Sequence, residues 1–158
     1  LSKVGLTQPI DPLRRAGEST IMAFLLADSV RYVSLCHSSD PSYLVYRFGS
    51  AQHVEMEYPA KSDDSWFKFE YASYLRGGGA ANAGLDLNYL TFTNGDWKYI
   101  LYHEYQAAED RVDFGVRAIN LKSKQKRDFH GLAGTCHGSL HPLRDNTKVR
   151  KGQCPEDF

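Results

Sequence analysis

Between Val30 and Leu121 the chain is a succession of short runs of β-branched and aromatic residues that alternate with polar ones, each run cut off by turn formers. No other feature constrains the fold as tightly, because period-two alternation sends successive side chains to opposite faces of an extended strand. Strands are predicted at 30–36, 43–48, 52–58, 66–74, 85–93, 97–105 and 112–121. They are separated by Ser38-Ser-Asp-Pro41, Gly49-Ser50, 59–65, Gly77-Gly-Gly79, Asn94-Gly95 and 106–111. The expected fold class is therefore all-β, a mainly antiparallel sandwich or barrel of about seven strands.

The sharpest local signal is Thr91-Phe-Thr-Asn-Gly-Asp-Trp97, in which Asn94-Gly95 suits the positive backbone angles of a two-residue hairpin turn. It predicts an antiparallel pair of 85–93 with 97–105. Alternation then places Trp97, Tyr99 and Leu101 on one face and Lys98, Ile100 and Tyr102 on the other. Both faces are partly apolar, as in a two-layer or closed sheet.

Upstream, residues 1–29 read as an N-terminal arm followed by a short helix. Gly5, Pro9 and Pro12 leave the first dozen residues without periodicity, and Ser19 or Thr20 suits the cap of a helix over 19–27. Arg14 and Arg15 before Ile21-Met-Ala-Phe-Leu-Leu-Ala27 loosely imitate a secretory signal, but a short amphipathic or buried helix is the preferred reading. The apolar run is too short to span a bilayer. Residues 30–144 form the expected β domain, with Phe129 opening a last extended segment and 139–143 a single helical turn; 145–158 form a polar tail.

Lys plus Arg and Asp plus Glu each total 19, so no excess of positive charge points to nucleic acid. A protein or a small molecule is the expected partner. Three cysteines suggest one disulfide and one free thiol, with Cys36–Cys136 favoured, Cys136–Cys154 second, and three reduced thiols as the remaining alternative. A disulfide implies an oxidising compartment.

No catalytic set is evident. His130, Cys136, His137 and His141 carry zinc-ligand chemistry but lack the spacing of a structural site, so no metal is expected. Cys36-His37 and Cys136-His137 are neighbours whose side chains diverge on a strand, which is the wrong geometry for a nucleophile and its base. Gly77-Gly-Gly79 lacks the Lys-Ser or Lys-Thr of a phosphate loop and no cofactor is expected. Glu55 and Glu57 share a strand face, and Glu104, Glu109, Asp110 and Asp113 gather at one connection. Such carboxylates suit either glycoside hydrolysis in a cleft or recognition of a basic partner. Ten tyrosines supply amphipathic anchors for a protein interface.

Arg31-Tyr-Val-Ser-Leu-Cys36, Tyr43-Leu-Val-Tyr-Arg-Phe-Gly49, Tyr58-Pro59, Arg76-Gly-Gly-Gly79, Trp97-Lys-Tyr99, Phe114-Gly-Val116 and Cys136-His-Gly138 together resemble small exported bacterial β proteins. Proteins of this kind include periplasmic lysozyme inhibitors and immunity proteins against type VI secretion effectors. The resemblance implies a rigid scaffold whose loops block an enzyme cleft, and it narrows the compartment to the periplasm or the exterior. It matches no inhibitory-loop motif and supplies no site residue. The residues expected to meet such a partner are Arg76, Glu104, Tyr105, Glu109 and Asp110, on the connections 77–84 and 106–111. A small envelope hydrolase using paired carboxylates and a small-ligand-binding β-barrel are the alternative readings.

Overall fold

In the computed structural model, which describes residues 10–79 and 82–156, the alternating runs become two sheets facing each other across one apolar core. The first sheet contains β1 (Glu18–Leu25), β2 (Arg31–Ser38), β3 (Leu44–Ser50) and β4 (His53–Tyr58), a meander with the short β10 (His137–Gly138) beside β1. The second is the longer meander β5 (Glu70–Arg76), β6 (Leu85–Asn94), β7 (Trp97–Gln106), β8 (Arg111–Asn120) and β9 (Lys126–His130). Its other edge carries β11 (Arg150–Lys151), which lies parallel to β5, whereas every other strand pairing is antiparallel. The sheets meet at one corner, where the Ala27 amide donates to the His130 carbonyl (2.9 Å) and the Leu132 amide to that of Leu25 (2.7 Å).

Alternation decides which side chains fill the space between the sheets. Val33, Leu35, Leu44 and Tyr46 project from the first sheet toward Tyr71, Leu90, Phe92, Leu101 and Val116 of the second. Burying each such side chain stabilises the fold by about 1.5–3 kcal/mol. The opposite face of the second sheet carries a smaller apolar layer, Tyr89, Ile100, Tyr102 and Ile119, packed with Leu87 and Cys154 of the C-terminal tail. Both faces of β7 are thus used, as its two apolar sets predicted.

The expected mainly antiparallel β architecture is present, and the predicted strands coincide with β2 to β8, except that 66–74 begins as a 3-10 turn (Ser65–Lys68) before entering β5. The N-terminal helix is corrected. The residues expected to be helical form β1, because Met22, Phe24 and Leu26 alternate into the core while β2 and β10 pair with both edges. A bulge between Thr20 and Met22 lets Ile21 bury as well, which hid the alternation inside a continuous apolar run. The hairpin is also shifted: Asn94 pairs with Trp97, so the loop is Gly95-Asp96, with Gly95 at φ +62°. That slip moves the register by an even step and leaves every side chain on its predicted face.

The disulfide is corrected too. Cys36, Cys136 and Cys154 are all free. Cys36 sits on the outer face of the first sheet, Cys136 packs against the central core, and Cys154 belongs to the layer outside the second sheet. Neither the pair Cys36–Cys136 nor the pair Cys136–Cys154 shares a layer, and burial pushes the thiols of Cys36 and Cys136 up to about 11.

Of the N-terminal arm, 1–9 lie outside the described residues; the part beginning at Ile10 covers the outer face of the first sheet. The Asp11 carboxylate accepts hydrogen bonds from the Thr20 (2.6 Å) and Ser34 (2.7 Å) hydroxyls, and Leu13 is buried. Beneath the arm Arg47 donates to both carboxylate oxygens of Glu18 (2.6 and 2.8 Å), to Glu57 (2.7 Å) and to the Leu13 carbonyl (3.1 Å).

Candidate functional site

The connection from β5 to β6 and the turn from β7 to β8 emerge side by side at one end of the second sheet. Their proximity follows from the meander: Arg76 pairs with Leu85, Leu85 with Gln106, and Gln106 with Arg111. The two are then locked together, since the Ala107 amide donates to the Gly84 carbonyl (3.0 Å). Arg76 folds back on its own loop and donates twice to the Ala83 carbonyl (3.0 and 2.8 Å).

One step in from the loops, two rows of cross-strand neighbours cover opposite faces of the sheet end. The first is Leu75, Asp86, Tyr105 and Val112; the second is Tyr74, Leu87, Glu104 and Asp113. Leu75 and Val112, at the two ends of the first row with Asp86 and Tyr105 between them, are 64% and 45% exposed, while Tyr74, 46% exposed, lies on the opposite face. Around these rows, the Tyr105 hydroxyl donates to Asp110 (3.2 Å), and Arg111 bridges Glu109 and Asp113. Asp110 takes a positive φ of 45° to close the turn, a conformation that aspartate tolerates better than most residues.

Of the five residues expected at an interface, all lie at this end of the sheet, but they do not share a face. Tyr105, Glu109 and Asp110 point to the loop rim, Arg76 is tied down, and Glu104 turns to the other face. There Glu104 accepts a hydrogen bond from the Tyr89 hydroxyl (2.6 Å). Burial pushes its carboxyl above the usual range; the Tyr89 bond opposes this, and the nearby Asp113 adds to it. Glu104 and Asp113 line a cleft of about 370 Å³ with Tyr102, Phe114, Arg117 and His130. Tyr102 approaches His130 Nδ1 (3.2 Å), Arg117 is paired with Asp128 (2.6 Å), and burial holds the Tyr102 phenol at about 12.

Below the first row, Asp86 holds the 3-10 turn His141–Leu143 against the sheet: Arg144 donates to it (2.7 Å) and His141 Nε2 lies 3.0 Å away. Burial, with His141 nearby, holds His103 below its ordinary value, so at neutral pH it is an uncharged ring within this polar cluster. The histidines and cysteine weighed for zinc are dispersed, and among the described residues no group of three potential ligands could hold a metal ion. Glu55 is paired with Arg31 on the far sheet, remote in topology from Glu104.

Sequence reasoning missed Tyr74, Leu75 and Val112 as surface residues, because alternating strand patterns assign apolar side chains to a core. The signal was positional: all three lie within two residues of a strand end, Tyr74 and Leu75 in β5 and Val112 in β8, next to the loops at one end of the second sheet. Comparison with protein-family models, with curated proteins and with solved structures finds no match.

Proposed function

We propose that the protein is a binding and inhibitory module, and most concretely an immunity protein that blocks a cell-envelope-degrading toxin of the type VI effector or lysozyme-like kind. The observation that carries this reading is the end of the second sheet, where exposed Leu75 and Val112 flank Tyr105 on one face beneath the loop carboxylates Glu109 and Asp110, with Tyr74, Glu104 and Asp113 on the opposite face. An apolar and aromatic centre with a charged rim is the anatomy of a protein-binding hot spot. Carboxylates outnumber Arg76 and Arg111 there, which favours a basic partner. Among the described residues of these connections, Arg76, Gly84, Ala107 and Asp110 are tied by internal hydrogen bonds, so those residues lose little ordering entropy on binding. With the disulfide gone, a periplasmic or secreted location rests on the resemblance alone.

The test is to immobilise the protein and expose it to envelope and secreted fractions, then assay any retained hydrolase with and without it. Stoichiometric retention and loss of lytic activity are expected. Leu75→Asp should weaken binding by about 2 kcal/mol or more, as for a central anchor. Inhibition that survives both Leu75→Asp and the double charge reversal Glu109→Lys/Asp110→Lys would remove this face from the interface.

A hydrolase is the second reading, favoured by the cleft that holds Glu104 directly across the strand pair from Asp113. A half-buried carboxyl raised above its ordinary value suits a general acid, with Asp113 on the facing strand as the second carboxylate. Hydrolysis of peptidoglycan that disappears in Glu104→Gln and in Asp113→Asn would establish it; no turnover by the native protein would dismiss it.

A further inference from the structure

Between the sheets, away from the loop end, lies an apolar slot of about 130 Å³. Tyr46 and Phe48 of β3 and Met56 of β4 form one wall, Tyr99, Val116 and Phe129 of β7, β8 and β9 the other. Phe48, Met56, Tyr99 and Phe129 are only half-buried, so the slot opens to solvent where Met56 of edge strand β4 and Phe129 of edge strand β9 line it. Phe48 and Phe129 meet edge to face across the gap at 5.7 Å. Tyr99 ends a stack of near-parallel rings, lying 5.1 Å from Phe92, which in turn lies 4.5 Å from Tyr58.

Two observations point to an occupant. First, the size and lining suit one planar ring: an apolar cavity of about 150 Å³ accepts a benzene molecule. The rings already stacked in the wall supply faces and edges for further aromatic contacts. Second, Tyr46 is 1% exposed and lines the slot, and among the described residues its hydroxyl has the Tyr99 phenol nearby but no hydrogen-bond partner, without being one of the wholly sealed polar atoms. A buried phenol normally finds a partner. Tyr46 lines the slot, so a molecule entering it can supply that partner.

We propose that this slot binds a small single-ring aromatic molecule bearing one hydrogen-bonding substituent, a phenol in its simplest form, with the ring between the two sheets and its polar group on the Tyr46 hydroxyl. This site is independent of the partner-binding reading: it lies farther along β7 and β8, away from the loop end that carries Tyr105 and Val112, and needs no toxin. Recognition would be chiefly by shape and apolar contact, with the Tyr46 hydroxyl selecting phenols over unsubstituted rings. Arg31, whose guanidinium stands 5.8 Å from the Phe48 ring and is paired with Glu55, frames the entrance without placing an unpaired charge there.

The experiment is fluorine NMR of para-fluorophenol and of fluorobenzene titrated with the full chain. Saturable binding of both probes is expected, tighter for the phenol. Tyr46→Phe should weaken the phenol about five- to tenfold, the worth of one hydrogen bond, and leave fluorobenzene unchanged. Val116→Phe, or Met56→Trp from the opposite wall should the first variant not fold, should fill the slot and abolish binding of both. No saturable binding up to the solubility of the probes would overturn the proposal, as would binding that a folded, slot-filled variant retains. Because none of these variants touches Leu75, Tyr105 or Asp110, failure here leaves the partner-binding test unaffected.

Discussion

Among single residues, Arg47 carries the largest electrostatic consequence. Its side chain and that of Glu18 are 3% and 1% exposed, and they are joined by a bidentate pair beneath the arm. Neutralising Glu18 leaves the buried guanidinium with Glu57 as its remaining carboxylate partner. Glu18→Gln should therefore cost about 1.5–3 kcal/mol, read as a lowered urea midpoint with unchanged m-value. Coupling it with Arg47→Met should recover much of the loss, because the pair need not outperform a well-packed apolar replacement. The same pair sets a pH dependence. Burial alone would raise the Glu18 carboxyl, but hydrogen bonds from Arg47 and Tyr43 hold it at about 2, below its ordinary 4.5. A depressed folded-state value means the unfolded chain takes up the proton first, so this stabilisation is complete above pH 4.5 and is lost as pH falls toward 2. Unfolding measured across that interval should be steeper in pH for the native protein than for Glu18→Gln. Equal slopes would show that other carboxylates govern acid unfolding.

At the level of elements, the least legible strand is the one the N-terminal sequence makes. Alternation announced β2 to β8 because each has a polar or mixed outer face, whereas β1 buries nearly everything from Ile21 to Phe24. A short apolar run of that kind does not distinguish a buried strand from a buried helix. What places β1 is partly a long-range partner: β10 pairs with Met22 and Ala23 through Gly138, at φ +75°. A Cβ at Gly138 would overlap the Ile21 carbonyl oxygen, and the backbone is left-handed there. Gly138→Ala should accordingly cost about 1–3 kcal/mol. Hydrogen exchange would localise the damage, with amides of β1 near Met22 exchanging faster and those of the β6–β7 hairpin unchanged. Uniform acceleration would mean that β10 is part of the global folding unit and not a local clasp. The two-residue strands β10 and β11 left no pattern in the sequence, since pairing this short depends on where distant chain happens to lie.

For the whole molecule, stability comes from layers and not from cross-links, and this alters how its chemistry is read. Much of the candidate interface was legible, because a meander with successive hairpins must bring the connections near Arg76 and Asp110 to the same end of the sheet. Glu104 and Tyr105, adjacent in one strand, diverge by alternation alone; what was not legible is which of the two faces is covered at that end, because that depends on what packs over each. Cysteine counting failed on similar grounds. Arithmetic assumes that thiols can meet, whereas the fold puts Cys36 under the N-terminal arm beside Asp11 (3.4 Å), Cys136 against the core, and Cys154 outside the second sheet. Bringing any two together would require a strand or the tail to leave its layer, at a cost comparable to the net stability of a domain. We therefore expect thiol titration of the denatured, unreduced protein to count three reactive groups, matching the three free cysteines. The native protein should label slowly at neutral pH, since the raised values of Cys36 and Cys136 leave little thiolate. Thermal unfolding should be indifferent to reductant. A count of one with a reductant-sensitive melting temperature would instead require a rearranged layer order, and with it a different placement of the arm, the tail and the sheet end that carries the proposed interface.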